Sequence, residues 1–319
     1  MAKYKMILDL DTGVDDALAL AYALATPECD LIGIVCSYGN VITKQAAQNS
    51  LDLLELLGHP EVPVFMGATH SSTTDHFDVM PISQKIHGKN GVGDISLPKA
   101  QRSIEQQSGV DFYIEAAHKY QGSLLIVPTG PLTNLAAAIQ KDPEIVSLIG
   151  HVTLMGGALT VPGNVNPVTE ANINQDPHAA DIVFRSSLPL TMIGLDVTTR
   201  TLLTKDETQL WRELNTFSAS KYADIVDYYI DSYKITSPHL NGCALHDPLA
   251  VAAAVDPSII QTIYLNMKVD TDGPYAGRTI GDEKRINEPA STTQVAVNVD
   301  QTRFVTMFME KLSDLFKQN

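Results

Sequence analysis

Four aspartates lie within eight residues near the start of the chain: Asp9, Asp11, Asp15 and Asp16. The apolar run before them predicts a strand, and the alanine- and leucine-rich run after them predicts a helix. Side chains two residues apart share one face of a strand, and Gly13 allows a tight turn that brings the second pair back beside the first. This concentration of negative charge is best explained by a cation, and carboxylate oxygens favour calcium or magnesium over zinc.

A simpler interpretation assigns no cation to this cluster. Asp15 and Asp16 would then cap the following helix and complement its dipole, while the other two aspartates would be solvated at the strand end. A single aspartate pair would favour this interpretation, whereas four carboxylates together favour the metal site.

Short apolar runs alternate with helical stretches through the first two thirds of the chain. The apolar runs predict strands at 5–10, 31–37, 62–66, 124–128, 151–155 and 190–195. The stretches between them predict helices at 45–57, 110–119, 132–140 and 178–184. This alternation predicts an α/β fold with an open, mostly parallel, doubly wound, Rossmann-like sheet.

The C-terminal third has a different pattern. Helical stretches occur at 205–214, 219–233 and 248–254, and a terminal amphipathic helix carries Phe304, Phe308, Leu312 and Leu315 at turn spacing. Alternating segments near 263–270 and 294–299 predict antiparallel edge strands. The chain of 319 residues shows no repeat and no linker, so we expect one domain over 1–319.

Polar or glycine-rich residues follow the predicted strands. After the aspartate cluster, the strand exits lie at 38–40, 129–131, 155–157 and Asp196. Because ligands bind at the carboxyl ends of strands in open α/β sheets, these exits are expected to face one crevice. The stretches 69–76 and 87–93 are predicted to be active-site loops or lids.

The charge and the cysteine content limit the class of ligand and the location. A net charge of -15 and a pI near 4.9 disfavour nucleic-acid binding and favour a small neutral or cationic ligand. Three scattered cysteines predict neither disulfides nor a thiolate metal site. Without a visible export signal or a membrane-length apolar run, we expect a cytoplasmic protein that does not bind membranes.

Further polar residues could carry chemistry, although each also has a structural interpretation. His246 and Asp247 precede Pro248 at a predicted helix start, where Asp247 could be an N-cap, a cation ligand or both. A dense polar series could bind a polyhydroxylated ligand or form Asx turns: Asn164, Asn166, Glu170, Asn172 and Asn174.

Six motifs, in order and spacing, resemble those of the inosine-uridine nucleoside hydrolase family. They are DxDxGxDD at 9–16, Gly39-Asn40, the TGPLTN run at 129–134, Met155-Gly156-Gly157, Glu170 with Asn172, and His246-Asp247-Pro248. The resemblance implies an enzyme that hydrolyses the N-glycosidic bond of ribonucleosides to free base and ribose. It also implies a calcium ion at the carboxyl edge of the sheet, and a homodimer or homotetramer.

The resemblance assigns roles to individual positions. Asp11 corresponds to the general base that takes a proton from a calcium-bound water. Asp16 corresponds to a bidentate calcium ligand, and the calcium sphere is completed by Asp9, the Thr129 carbonyl and Asp247.

The substrate contacts follow in the same way. The positions that correspond to ribose contacts are Asp15, Asn40, Asn164, Glu170 and Asn172. His87 and His246 correspond to histidines near the leaving base, with His246 in a catalytic role. Met155 and Tyr229 are expected to contact the substrate, although Tyr228, Tyr229 and Tyr233 could equally form a packed helix face.

Two positions depart from the family pattern. Thr12 replaces a frequent proline, and Ala171 replaces a frequent aromatic residue between Glu170 and Asn172. Neither change removes a ligand or the base, but Ala171 is expected to alter the packing around the sugar.

Two other functions were compared with this one. A phosphatase of the haloacid dehalogenase type would use Asp9 as phosphoryl acceptor with magnesium, but the lysine and the late acidic pair that it needs have no convincing position. A calcium-dependent nucleoside or ribose sensor would keep the fold without turnover, and the presence of Asp11 argues against it.

Overall fold

A computed structural model describes residues 3–288 and 293–319. Within these residues, a nine-stranded sheet has the order β10-β13-β7-β6-β5-β1-β2-β3-β4. Its strands are β1 (Tyr4–Leu10), β2 (Cys29–Cys36), β3 (Val64–Met66), β4 (Glu105–Ser108), β5 (Leu124–Pro128), β6 (His151–Met155), β7 (Leu190–Ile193), β10 (Ile260–Tyr264) and β13 (Thr293–Val299). Two short antiparallel pairs lie outside it: β8 (Leu202–Leu203) with β9 (Cys243–Ala244), and β11 (Met267–Val269) with β12 (Thr279–Gly281).

Helices cover both faces of the sheet. They are α1 (Val14–Leu24), α2 (Thr43–Leu56), α3 (Pro81–His87), α4 (Gly109–Tyr120), α5 (Thr133–Lys141), α6 (Ile145–Leu148), α7 (Ala171–Gln175), α8 (Pro177–Arg185), α9 (Leu195–Thr198), α10 (Lys205–Arg212), α11 (Phe217–Thr236), α12 (His246–Val255) and α13 (Gln301–Phe316). None of the helices in the described ranges is long and apolar enough to cross a membrane.

The two faces of β1 pack into two separate apolar cores. Met6, Leu8 and Leu10 belong to the core that α1, α12 and α13 cover, whereas Ile7 belongs to the core of α4, α5 and α8. Side chains alternate between the faces of a strand, so a strand buried on both faces must be apolar at nearly every position. This explains the continuous apolar run before the aspartates.

The predicted fold class is confirmed: the sheet is parallel except for β10, which pairs antiparallel with β13 at the edge. The segment near 263–270 differs from its prediction, because it divides into the end of β10 and β11. β13 is antiparallel only to β10 and runs parallel to β7. The apolar positions predicted for α13 are buried.

The position of β1 determines where a ligand can bind. β1 lies between β2 and β5, and the chain extends the sheet outward in both directions from this point. Helices therefore leave neighbouring strands toward opposite faces, which opens a crevice at the carboxyl ends of β1 and β5. The aspartate cluster follows β1 directly, so it lies at this crevice.

Candidate active site

The turn between β1 and α1 brings the second aspartate pair into the crevice. Gly13 is the N-cap of α1, and its amide donates a hydrogen bond of 2.8 Å to the Asp16 carboxylate. A Cβ atom at position 13 would lie 2.6 Å from both Asn40 Nδ2 and His87 Nδ1, so only glycine fits there. Asp15 and Asp16 occupy the first turn of α1, where the helix dipole favours negative charge.

A third carboxylate joins this pair from the C-terminal third of the chain. Asp247 lies in the first turn of α12, which packs against α1. Carboxylate oxygens of Asp15, Asp16 and Asp247 all lie within 4.8 Å of one another, and all three residues are buried. The prediction that Asp247 is an N-cap is wrong, because Leu245 caps α12 and Asp247 lies in the first turn; the three helix-start aspartates together remain a candidate cation site.

Thr129 connects the ends of β1 and β5. Its amide donates to the Asp9 carbonyl at 2.8 Å, and its Oγ1 donates to the Asp16 carboxylate at 2.7 Å. Its carbonyl accepts a 2.6 Å hydrogen bond from the Asn172 side chain and lines the same cavity as Asp247. The carbonyl is thus a further oxygen beside the carboxylates.

The Asp11 carboxylate is held by Asn40, which follows β2 in the chain. The Asn40 amide donates to Asp11 Oδ2 at 2.6 Å, and Asn40 Nδ2 donates to Asp11 Oδ1 at 3.1 Å and to Asp16 at 3.3 Å. Burial and the neighbouring charge of Asp16 raise the pKa of Asp11 well above its usual value. Asp11 and Asp16 therefore share one amide donor and repel each other.

Gly39 allows this close approach, because a Cβ atom there would lie 2.0 Å from Asp11 Oδ2. We expect Gly39→Ala to displace the Asp11 carboxylate and to lower kcat about 100-fold, since a shift of about 1 Å in a catalytic group has effects of this size. Steady-state rates of substrate cleavage measure this loss. Gly122→Ala is the matched control, because a Cβ atom at Gly122 meets nothing within 4 Å. Equal activity of the two variants would contradict the role given to Gly39.

Asp9 has different neighbours from the other aspartates. Tyr113 donates to Asp9 Oδ2 at 2.8 Å, and Asn134 Nδ2 donates to both carboxylate oxygens at 3.0 and 3.2 Å. Burial raises the pKa of Asp9 to about 7. Asp9 is completely buried, which leaves no access for the phosphoryl group that a haloacid dehalogenase mechanism would place on it.

The carboxylate cluster has an unbalanced charge. Burial and the charge of Asp16 raise the pKa of Asp15 to about 7, and burial with the charges of Asp15 and Asp16 raises that of Asp247. Asp15 Oδ1 is buried and has no hydrogen-bond partner among the described residues; His87 Nδ1 is 3.8 Å away. An orphaned, buried carboxylate oxygen among acidic neighbours fits a hard cation.

A cavity of about 920 Å³ opens beside the cluster. Its polar end is lined by every residue that the sequence assigned to ribose, together with Met155: Asp15, Asn40, Asn164, Glu170 and Asn172. Glu170 caps α7 and accepts hydrogen bonds from the amides of Gly157, Asn172 and Ile173. Its carboxylate is thereby fixed in position at the cavity wall.

The histidines and tyrosines form a second wall. His246 is hydrogen-bonded at both nitrogens, to Thr198 Oγ1 at 2.7 Å and to the Tyr233 hydroxyl at 2.8 Å. Tyr229 continues this chain, with its hydroxyl 3.4 Å from that of Tyr233 and 3.3 Å from the Asp15 carboxylate. Tyr229 and Tyr233 are buried, as a packed helix face predicts, and they also line the cavity; contact of Tyr229 with the substrate stays a prediction.

Both histidines are neutral near pH 7. Burial lowers the pKa of His246 to about 4, and burial with the proximity of His246 lowers that of His87 to about 3. His87 Nδ1 accepts the Val14 amide at 3.2 Å, so the proton of the neutral ring is on Nε2. The two rings thus act through hydrogen bonds rather than charge.

Some cavity residues were not identified from the sequence. They come from α3 and the residue before it, from α9 and its end, and from the end of α11 and the following loop: Met80, Ile82, Ser83, Ile86, Leu195, Thr199, Ile235, Thr236, Ser237 and Leu240. Short helices without a clear apolar period gave no signal for them.

Two predicted crevice features lie elsewhere. No residue of 69–76 lines the cavity; Ser72 in this stretch donates to Asp176, the N-cap of α8. Asp196 does not line it either and instead accepts hydrogen bonds from Leu159 and Thr160. Within 87–93, His87 does line the cavity.

Comparison with known proteins agrees with this geometry. A family model described as inosine-uridine preferring nucleoside hydrolase matches residues 6–306. A probable uridine nucleosidase 2 from Arabidopsis thaliana is 37% identical, over 97% of this chain and 98% of its own length. A pyrimidine-specific ribonucleoside hydrolase from Klebsiella pneumoniae is 32% identical over 97% and 98%. The solved structure of a purine-preferring ribonucleoside hydrolase from Gardnerella vaginalis is 57% identical, with a TM-score of 0.98 over 99% of this chain and 100% of that one.

Proposed function

The chain belongs to the inosine-uridine preferring nucleoside hydrolase family and is a hydrolase, and on this premise we propose that it cleaves ribonucleosides to free base and ribose with the help of a calcium ion. The observation that carries this proposal is the cluster of Asp15, Asp16 and Asp247, whose carboxylate oxygens lie within 4.8 Å of one another beside a cavity that has ribose-compatible polar groups at one end.

The residues at this end fit a calcium ion. The ligands that we propose are the carboxylates of Asp11, Asp16 and Asp247 and the Thr129 carbonyl, because calcium prefers several oxygen ligands. Asp15 belongs to the same cluster but also lines the cavity, where its carboxylate can accept hydrogen bonds from ribose hydroxyls. We place Asp9 behind the ligands as a positioning residue, because its carboxylate is bonded by Tyr113 of α4 and Asn134 of α5. The Asp11 carboxylate instead shares the Asn40 side chain with Asp16.

Cleavage of the glycosidic bond requires an activated water and stabilisation of positive charge on the sugar. A calcium ion held by these residues would supply a Lewis acid that lowers the pKa of the attacking water. Asp11 then takes the proton, because the two hydrogen bonds from Asn40 fix its carboxylate. Asp15 and Glu170 lie at the cavity wall, where negative charge favours oxocarbenium character on the ribose.

The departing base needs a hydrogen bond or a proton. His246, Tyr233 and Tyr229 form a continuous chain of hydrogen-bonding groups along the cavity wall. We propose that this chain stabilises the leaving base, with His246 held in orientation by Thr198.

The direct test is to supply inosine, adenosine, uridine and cytidine separately and to measure released ribose and base. We expect release from at least one nucleoside in the presence of calcium. The 57% identity to a purine-preferring hydrolase favours higher rates for inosine and adenosine. The similarity to a probable uridine nucleosidase and to a pyrimidine-specific hydrolase instead favours uridine. No release from any nucleoside by folded, calcium-loaded protein would contradict the proposal and support a nucleoside sensor.

The assembly is proposed from the family resemblance, and the location from the reaction. We propose a homodimer or homotetramer that acts in nucleoside salvage in the cytoplasm. Sedimentation of the purified protein measures the number of subunits. Fractionation of the source cells determines the compartment.

A further inference from the structure

Most of the apolar side chains that line the cavity come from α3, the loop before α7 and the end of α11 with the following residues, and these segments are treated as one end of the cavity. Three of its apolar side chains are partly exposed although they are large: Ile82, Val165 and Ile235. They come from three separate segments, namely α3, the loop before α7 and the end of α11. A nucleoside has a matching polarity, because its sugar carries the hydroxyls and its base has flat apolar faces with a polar edge.

Few polar side chains at this end of the cavity are free to form a hydrogen bond with the polar edge of a base. The hydroxyls of Thr199 and Thr236 already donate to the backbone carbonyls of Leu195 and Ser232. Lys85 and His239 are exposed and therefore hydrated, and Ser237 is partly exposed. Ser83 differs from these side chains in its burial and in its hydrogen bonding.

Ser83 lines the cavity, yet only 8% of its surface is exposed. Among the described residues, no hydrogen bond involves its hydroxyl group. Its oxygen is also not one of the fully buried polar atoms among these residues, so it is reached from the cavity, where a ligand can hydrogen-bond it in place of water.

The surrounding contacts fix the position of this hydroxyl. Ser83 lies one helical turn before His87 on α3, so the two side chains share one face of this helix. α3 is attached to α11 by the Ser232 hydroxyl, which donates to the Lys85 carbonyl at 2.9 Å. After α3, the Gly93 amide donates to the His87 carbonyl at 2.8 Å.

We infer that Ser83 is a specificity-determining residue whose hydroxyl hydrogen-bonds the polar edge of the nucleobase. This inference rests on the proposed function. A hydroxyl both donates and accepts, so it can pair with a ring carbonyl or with a ring nitrogen. Its contribution therefore depends on which polar groups the base presents.

The test compares Ser83→Ala with the wild type on inosine, purine riboside, uridine, cytidine and 4-nitrophenyl riboside. The leaving group of the last compound has no ring nitrogen and no ring carbonyl. Removal of one neutral hydrogen bond corresponds to a loss of about 3- to 10-fold in kcat/KM. We expect this loss for at least one nucleoside, a smaller loss for purine riboside than for inosine, and a change below about 2-fold for 4-nitrophenyl riboside.

Ser147→Ala is the matched control, because Ser147 is exposed and lies outside the cavity. An equal loss on all five substrates would show a structural role for Ser83, and no loss on any would show no role; either result overturns the inference while the proposed function stands. A wild-type protein that releases no ribose from any of the five overturns the proposed function and the inference together.

Discussion

Asp11→Asn is expected to lower kcat by about 100- to 10,000-fold, the range that a positioned general base contributes. Asparagine has nearly the same size and keeps an oxygen that can contact the cation, but it cannot take a proton from water. The two hydrogen bonds from Asn40 hold the carboxylate at position 11 in place. Initial rates of ribose release measure the loss of turnover.

A calcium titration of the same variant separates turnover from binding. We expect the calcium affinity to change by less than about 10-fold, since Asp16, Asp247 and the Thr129 carbonyl remain. Asp206→Asn is a suitable control, because Asp206 is exposed on α10 and lies outside the cavity. Retention of more than a tenth of the wild-type kcat would refute the assignment of Asp11 as the base.

Removal of the cation by a chelator is expected to reduce ribose release to background for every nucleoside. Without a cation, three buried carboxylates face one another with no positive partner, and the attacking water loses its activation. Addition of calcium after removal of the chelator should restore the rate. Addition of magnesium in a parallel sample determines which ion the site uses.

The same experiment has a readout that does not depend on activity. A cation that binds only the folded protein stabilises it by about 2.7 kcal/mol at a concentration 100 times its Kd. The melting temperature is therefore expected to rise with calcium concentration, and Asp247→Asn should weaken this rise. An unchanged rate together with an unchanged melting temperature after chelation would exclude a functional cation.

The carboxylate end of the site could be predicted from the sequence because its residues are close together in the chain or follow strands directly. Asp11, Asp15 and Asp16 lie on one turn, and Asn40, Thr129 and Met155 each stand at or just after a strand end. In a parallel sheet, these positions meet at one edge whatever the exact strand order is.

The alternation of side chains along a strand did not predict the position of the Asp9 carboxylate correctly. β1 ends at Leu10, so Asp9 lies within the strand while Asp11 belongs to the turn. The carboxylate of Asp9 binds Tyr113 and Asn134 from α4 and α5, and that of Asp11 binds Asn40. Residues two apart share a face only while both remain in the strand.

The part of the cavity wall that α3 forms could not be predicted from strand ends. α3 contains Ser83 and His87 in a seven-residue helix that begins with proline, and such a short segment has no measurable period. β4 was missed because its four residues, Glu105–Ser108, are polar and lie at the sheet edge, where burial imposes no apolar pattern.

The packing of α12 against α1 has a consequence for the order of events during synthesis. Asp11 and Asp16 leave the ribosome early, whereas Asp247 follows only after most of the chain has been made. Until α12 docks, the proposed ion site lacks Asp247, although Asp11, Asp16 and Thr129 have already been made. If the proposed site binds calcium, we expect high-affinity ion uptake only once α12 has docked, and a luminescent lanthanide in place of calcium would report when newly made protein reaches its native state.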